Sequence, residues 1–186
     1  PFADNAIIGV SAKMLVSHGD ERGFFREVVR QSDPFFVTDS GKPAFRQWSH
    51  SKMAVNTVKA WHFHHRQVDW WYVPIGVIEV VLYDAREESP TKGRKLHFKL
   101  GESGIDRAAI EAVVRIPQGV LHGCKVTSES AHLLYITSRI YDPSDEGRHP
   151  FNSSIVPHNW GKEEDLIVVA NDRKTHIPPH KRVVLA

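Results

Sequence analysis

Short apolar runs rich in β-branched and aromatic residues recur at intervals of roughly ten residues along this chain, and turn residues punctuate them. The runs cover 7–10, 24–29, 45–48, 55–63, 70–73, 77–83, 95–100, 112–116, 123–126 and 131–139. Between them lie Ser17-His18-Gly19-Asp20, Ser40-Gly41-Lys42-Pro43, Pro74-Ile75-Gly76, Ser89-Pro90-Thr91-Lys92-Gly93 and Pro117-Gln118-Gly119. Strands at this spacing predict an all-β antiparallel sandwich or barrel. Helix is scarce: one turn at 33–36, and two turns at 103–111 with Ser103 as cap. From about residue 142 prolines and acidic residues predict an irregular C-terminal arm, interrupted by a brief strand at 166–170. The expected organisation is a single domain over 1–186, with its core at about 20–141 and the arm at about 142–186.

Composition bounds the function. The 186 residues carry 24 Lys+Arg against 22 Asp+Glu, a net charge of +2. That balance gives no footprint for nucleic acid or a membrane surface, which needs concentrated basic residues. With 41% hydrophobic residues the chain can bury a core. Cys124 stands alone, so no internal disulfide forms and nothing points to an oxidising compartment. No apolar run approaches the ~20 residues that span a bilayer, and the first residues lack a signal-peptide pattern. The expectation is a soluble cytoplasmic protein. One oddity remains: twelve histidines, three of them within His62-Phe63-His64-His65.

If Lys59-Ala60-Trp61-His62-Phe63-His64 is a strand, His62 and His64 share one face and Trp61 and Phe63 the other. Two imidazoles on one face could ligate a metal, or one could act as a base, or one could be a packed core residue. A second segment, Ile116 to Gly123, uses a Pro and Gly turn to deliver His122 into the following strand. Trp48, Trp61, Trp70, Trp71 and Trp160 are expected to fill the core or a subunit interface. His149, His158, His176 and His180 in the arm are expected to face solvent.

Together the two histidine segments resemble the cupin pattern. His62-Phe63-His64, Asp69 and Gly76 follow its first motif, with Asp for the usual Glu, and Pro117, Gly119 and His122 follow its second. The resemblance implies a cupin-type jelly roll, and in metal cupins His62, His64, Asp69 and His122 would hold a divalent transition metal. A longer resemblance is to the dTDP-4-dehydrorhamnose 3,5-epimerase family. Asp20 to Glu27 resembles its DxRGxFxE opening, Lys59 to His64 its RGLHxQ segment, and Ile116 to Gly123 its IPxGxAHG. The stretch from Val77 through Asp84, Arg86 and Ser89-Pro90-Thr91 is similar to its V-D-x-R-x-x-S-P-T run, and Tyr135 to Glu146 to its YxCTxxYxPxxE. Asn171-Asp172-Arg173 is a weak counterpart of its S-x-K/R-D.

That resemblance implies an isomerase of deoxysugar or lipopolysaccharide biosynthesis that removes a proton next to the 4-keto group of a nucleoside-diphosphate 4-keto-6-deoxy sugar, without a cofactor. His62 would be the base, Asp172 its orienting partner and Tyr135 the acid on the opposite face. Arg22 and Arg46 would hold the diphosphate, and Phe25, Glu27 and Gln47 would place the nucleotide base, with His122 positioning the site. The family forms homodimers by exchanging N-terminal strands. Four departures stand out: Lys59 for the family arginine, Ala60 for glycine, His64 for glutamine, and Asp69 for the lysine that stabilises the enolate. A carboxylate there repels a developing oxyanion. Two other readings therefore stay open: a metal-dependent cupin oxygenase or isomerase, and a sugar-nucleotide-binding protein without turnover.

Overall fold

The computed structural model describes residues 2, 6–37 and 44–179; the turn expected at 40–43 and His180 lie outside them. In chain order the first strands are β1 (Ser11–Met14), β2 (His18–Asp20), β3 (Gly23–Phe25), β4 (Gln47–Ala54), β5 (Val58–His64), β6 (Asp69–Ile75) and β7 (Val77–Asp84). Then come β8 (Lys95–Gly101), β9 (Ala109–Ile110), β10 (Ala112–Ile116), β11 (Val120–Val126), β12 (Ser130–Thr137) and β13 (Glu146–Arg148). One sheet has the order β1-β10-β6-β12-β4 and the other β13-β5-β11-β7-β8-β9, while β2 and β3 form a separate hairpin. Apart from the short β8–β9 pair, every ladder is antiparallel.

Three apolar layers hold this sandwich. Met53, Trp71, Val73, Ile78, Val80, Leu82 and Val114 fill the space between the sheets. Trp61, Phe63, Val81 and Leu121 face outward from the larger sheet and are covered by Phe151, Val156 and Trp160 of the arm. Phe36, Trp70, Val113 and Ile136 form a third cluster on the smaller sheet. Sheets covered on both faces explain the near-continuous burial of β6, β7 and β11. Gly76 makes the β6–β7 turn at φ +79°, where an added Cβ would lie 2.0 Å from the Ser130 carbonyl oxygen.

The family-like run after β7 turns out to be a structural clamp. Asp84 is fully buried (0%) and accepts hydrogen bonds from Arg86 Nε (2.8 Å), Ser89 Oγ (2.5 Å) and Thr91 Oγ1 (2.6 Å). Arg86 Nη2 and Thr91 Oγ1 then bind the backbone of Ile8, at 2.9 and 3.0 Å. This ties the N-terminal segment to the larger sheet.

Several sequence expectations are corrected. Residues 7–10 form a turn, not a strand, because Gly9 takes φ +85° and the chain begins to pair only at Ser11. The strand expected at 24–29 stops at Phe25, within the two-stranded hairpin. Residues 103–111 hold turns and β9, not a helix; Ala109 and Ile110 pair with β8. The brief strand at 166–170 reduces to one bridge, Ile167 with Thr57. The single turn at 34–36 is present as a 3₁₀ turn, capped by Asp33. Four tryptophans are buried as expected, but Trp48 is 70% exposed. His158 does not face solvent: it packs edge-on against Trp160, with Nε2 3.4 Å from Glu79 Oε1. His149 stacks on Phe63, leaving His176 exposed.

Candidate active site

The site lies between the sheets, at the end where β5 meets β11. His62 and His64 point inward while Trp61 and Phe63 pack under the arm, the alternation expected of a strand. The ladder slips at one point: His122 pairs with His62, but Cys124 pairs with Lys59. Two residues of β5, Ala60 and Trp61, thus oppose Gly123 alone, which is a β-bulge. Strict alternation would send Lys59 to the face of Trp61; the bulge returns it to the histidine face, where it lines the same cavity. Gly123 permits this close approach, since a Cβ there would lie 2.6 Å from that of Ala60 and 3.0 Å from both Trp61 and Trp160.

The arm completes the site. Its β13 adds to the edge of β5, placing Glu146 opposite His64 and Arg148 opposite His62. The Phe151 N–H donates to the Asp172 carbonyl, which holds the 3₁₀ turn Ala170–Arg173 against the sheet. Asp172 is thereby buried (2%), with Oδ1 2.9 Å from His62 Nε2. The other ring nitrogen, Nδ1, lies 3.6 Å from Glu146 Oε1, which accepts from Arg148 Nη2 at 2.8 Å. An imidazole whose Nε2–H donates to a carboxylate keeps its Nδ1 lone pair available as a base.

Deeper in the cavity, His64, Asp69 and His122 converge, one ligand-type atom from each lying within 4.8 Å of the others. Asp69 Oδ2 is 3.7 Å from His64 Nε2 and 3.9 Å from His122 Nε2. Its Oδ1 accepts from Gln67 Nε2 at 2.7 Å. His122 Nδ1 lies 3.1 Å from the Val120 carbonyl, so Nδ1 carries the proton and the Nε2 lone pair faces Asp69. Burial holds His122 down to about 3, against the pull of Asp69, and His64 down to about 4, against Glu146 and Asp145. Both rings are neutral across the physiological range. Burial pushes the Asp69 carboxyl up, opposed by His122 and Gln67. The four-ligand set of the metal-cupin alternative is not assembled: His62 is outside this group, engaged with Asp172.

Across the cavity stands the smaller sheet. Tyr135 of β12 lines it with His62, and Trp71, Leu133 and Tyr141 share its wall. The cavity volume is about 180 Å³, and one side opens to solvent. Cys124 also reaches it, but burial pushes its thiol up to about 12, so it stays protonated and is no nucleophile. Lys59 Nζ donates to Ser51 Oγ at 2.7 Å.

The other sequence candidates divide. Gln47 lines the cavity and accepts from the Tyr141 N–H at 2.9 Å. Arg46 instead faces a neighbouring pocket shared with Arg66, Arg115 and Arg139. Arg22, Phe25 and Glu27 are not brought to the cavity within one chain. Arg22 bonds Asp20, Glu27 bonds Arg30, and Phe25 is 70% exposed on the hairpin. Sequence reasoning missed Glu146 and Gln67 as site residues. Glu146 closes the Tyr135-to-Glu146 segment already singled out, so its signal was present; Gln67 had none.

With this geometry in place, comparison with known proteins decides the kinship. The family model described as dTDP-4-dehydrorhamnose 3,5-epimerase matches residues 4–178. The chain belongs to that family. This makes it an epimerase-type isomerase with a cupin-type β-sandwich. The spore coat polysaccharide biosynthesis protein SpsL of Bacillus subtilis is 38% identical over 160 residues, covering 84% of this chain and 98% of SpsL. The dTDP-4-dehydrorhamnose 3,5-epimerase of Salmonella typhimurium is 33% identical over 145 residues, covering 76% of this chain and 75% of that enzyme. Among solved structures, a dTDP sugar isomerase from Desulfovibrio desulfuricans superposes with a TM-score of 0.73 at 29% identity, over 83% of this chain and 92% of that one. Among the described residues, no helix of this epimerase-family chain is long and apolar enough to cross a membrane.

Proposed function

We propose that this chain epimerises a nucleoside-diphosphate 4-keto-6-deoxy hexose by moving protons at carbons beside the ketone. The reading is carried by one arrangement: His62, bonded to buried Asp172 at 2.9 Å, shares a cavity with Tyr135 from the opposite sheet. His62 Nδ1 takes the proton, and the C–H electron pair passes into the enolate. Asp172 holds the ring in the tautomer that leaves Nδ1 free and stabilises the imidazolium that forms. The Tyr135 hydroxyl gives a proton to the other face, which inverts the carbon, and solvent restores both groups. Trp71 and Leu133 exclude water from the enolate.

The cavity, about 180 Å³, suits a hexose and leaves the nucleotide outside. Arg22, Phe25 and Glu27 reach such a nucleotide only if a second copy presents its hairpin, so the working form is a homodimer in the cytoplasm. The exposure of Phe24 and Phe25 on one chain supports this. The proton chemistry of His62 and Tyr135 uses no organic cofactor. Incubation with dTDP-4-keto-6-deoxy-D-glucose tests the reading. Appearance of product inverted at C3, C5 or both is expected; an unchanged sugar across dTDP and GDP forms overturns it.

A metal was the competing reading, and the donor set fits one: a carboxylate oxygen and two neutral imidazoles, each held by a further hydrogen bond or packed ring. His64, Asp69 and His122 are the residues that would hold it. Such an ion would supply positive charge beside the ketone. The base remains His62 in either case.

A further inference from the structure

The Asp69 carboxyl is sealed inside the protein (4% exposed), and among the described residues its charge neighbours are imidazoles, with no lysine or arginine paired to it. Lys59, the cation on the same wall, is directed to Ser51. A buried carboxylate without a countercharge is costly, and one facing a developing oxyanion also opposes the chemistry. The Val120 carbonyl accepts from His122 Nδ1–H and so turns the Nε2 lone pair toward Asp69, while His64 Nε2 lies 3.3 Å from Gln67 Nε2, the same amide that donates to Asp69. Among the described residues, three ligand-type atoms thus converge around one neutral amide and no cation.

We infer that His64 Nε2, Asp69 Oδ2 and His122 Nε2 bind one divalent transition-metal ion, which offsets the buried carboxylate and places positive charge beside the ketone. Two ligands on a tetrahedral metal with bonds of ~2.0–2.2 Å stand about 3.4 Å apart. The carboxylate oxygen is 3.7 and 3.9 Å from the two nitrogens, and all three atoms lie within 4.8 Å of one another, so side-chain movement of about an ångström brings them to that spacing. Two histidines and one carboxylate leave positions open toward the cavity, the pattern of catalytic and not of structural sites. Gln67 on Asp69 and Val120 on His122 orient the ligands from behind. The proposed role of the site rests on the epimerase reading; its existence does not.

The test uses the full chain without a histidine tag. Elemental analysis is expected to find about one equivalent of transition metal, and the stripped protein titrated with cobalt(II) to develop visible d–d bands saturating at one ion. Asp69→Asn and His122→Gln weaken cobalt binding by about 100-fold or more, whereas Glu79→Gln on the outer face leaves it unchanged. Should the first two variants fail to fold, ¹⁵N shifts of the ring nitrogens in the unaltered chain decide: zinc is expected to move Nε2 of His64 and His122 and to spare His62. A chain that stays metal-free with zinc, cobalt, manganese and iron, or that binds cobalt undiminished in Asp69→Asn, overturns the inference. None of these readouts needs turnover. A metal-bound chain inert toward every keto sugar would sink the epimerase reading alone, and a metal-free chain that epimerises would sink the metal site alone.

Discussion

His62 and Asp172 stand 110 residues apart in the chain, yet their side chains meet at 2.9 Å inside the protein. The arm that carries Asp172 is irregular in secondary structure but fixed in place, through the Arg148–His176 bridge and the Phe151 N–H on the Asp172 carbonyl. Its outer function is to cover Trp61 and Phe63; its inner function is to aim one carboxylate.

If that carboxylate orients the base, Asp172→Asn keeps the volume and loses the charge. The amide can donate to Nε2 and so favours the wrong tautomer, with the proton on Nδ1. We expect kcat to fall by about 10²–10⁴-fold with KM little changed. Steady-state kinetics beside an unaltered circular dichroism spectrum check this. A fall in KM-dependent binding alone would assign Asp172 to substrate holding.

Tyr135 supplies the second proton. Tyr135→Phe leaves abstraction by His62 intact but removes the donor on the opposite face. The expected result is solvent deuterium entering the sugar with retention of configuration, while net inversion drops by at least about 100-fold. Mass spectrometry of the sugar, paired with NMR of its stereochemistry, separates the two.

How much of this was legible in the residues? The β5 face was: His62 and His64 inward, Trp61 and Phe63 outward follows from alternation alone. The placement of Lys59 was not, because a bulge at Ala60 and Trp61 is set by the tight packing of Gly123 and leaves no simple trace in one sequence. Residues 7–10 are apolar enough for a strand, yet Gly9 turns the chain and Ile8 is held by Arg86 and Thr91 instead of a neighbouring strand. Residues 103–111 carry helix-compatible composition, but Glu111 bonds Ser103 and Asp106 bonds Lys99, which close a turn. Tertiary partners overrode local preference in both.

Asp84 yields a stability prediction. Burial alone would raise its carboxyl, but the hydrogen bonds from Arg86, Ser89 and Thr91 outweigh that and hold it well below the usual carboxylate range. A carboxyl depressed in the folded state contributes stability that is present above the unfolded value of 3.8 and lost as pH falls below it toward the folded value. Asp84→Asn therefore costs about 3 kcal/mol at pH 7, since it removes the counter-charge of Arg86 and the acceptor that Ser89 and Thr91 share. The difference from the unaltered chain narrows as pH drops below 4. Denaturant melts at pH 7 and in that acid window measure both effects.

Gly123→Ala tests the bulge. The new Cβ meets Ala60, Trp61 and Trp160 at 3.0 Å or less, so β5 and the arm must separate. Overpacking of this kind costs about 1–3 kcal/mol. Activity should fall further than stability does, because the strand that moves carries both Lys59 and His62. Comparison of kcat below the melting transition reads this directly.

The central claim is that one imidazole begins the chemistry. Proton NMR of dTDP-4-keto-6-deoxy-D-glucose in deuterated buffer follows it at C3 and C5. With the unaltered chain, deuterium should enter one or both positions; with His62→Asn, folded and otherwise intact, it should enter neither above the uncatalysed rate. Exchange at the full rate in His62→Asn would contradict the account.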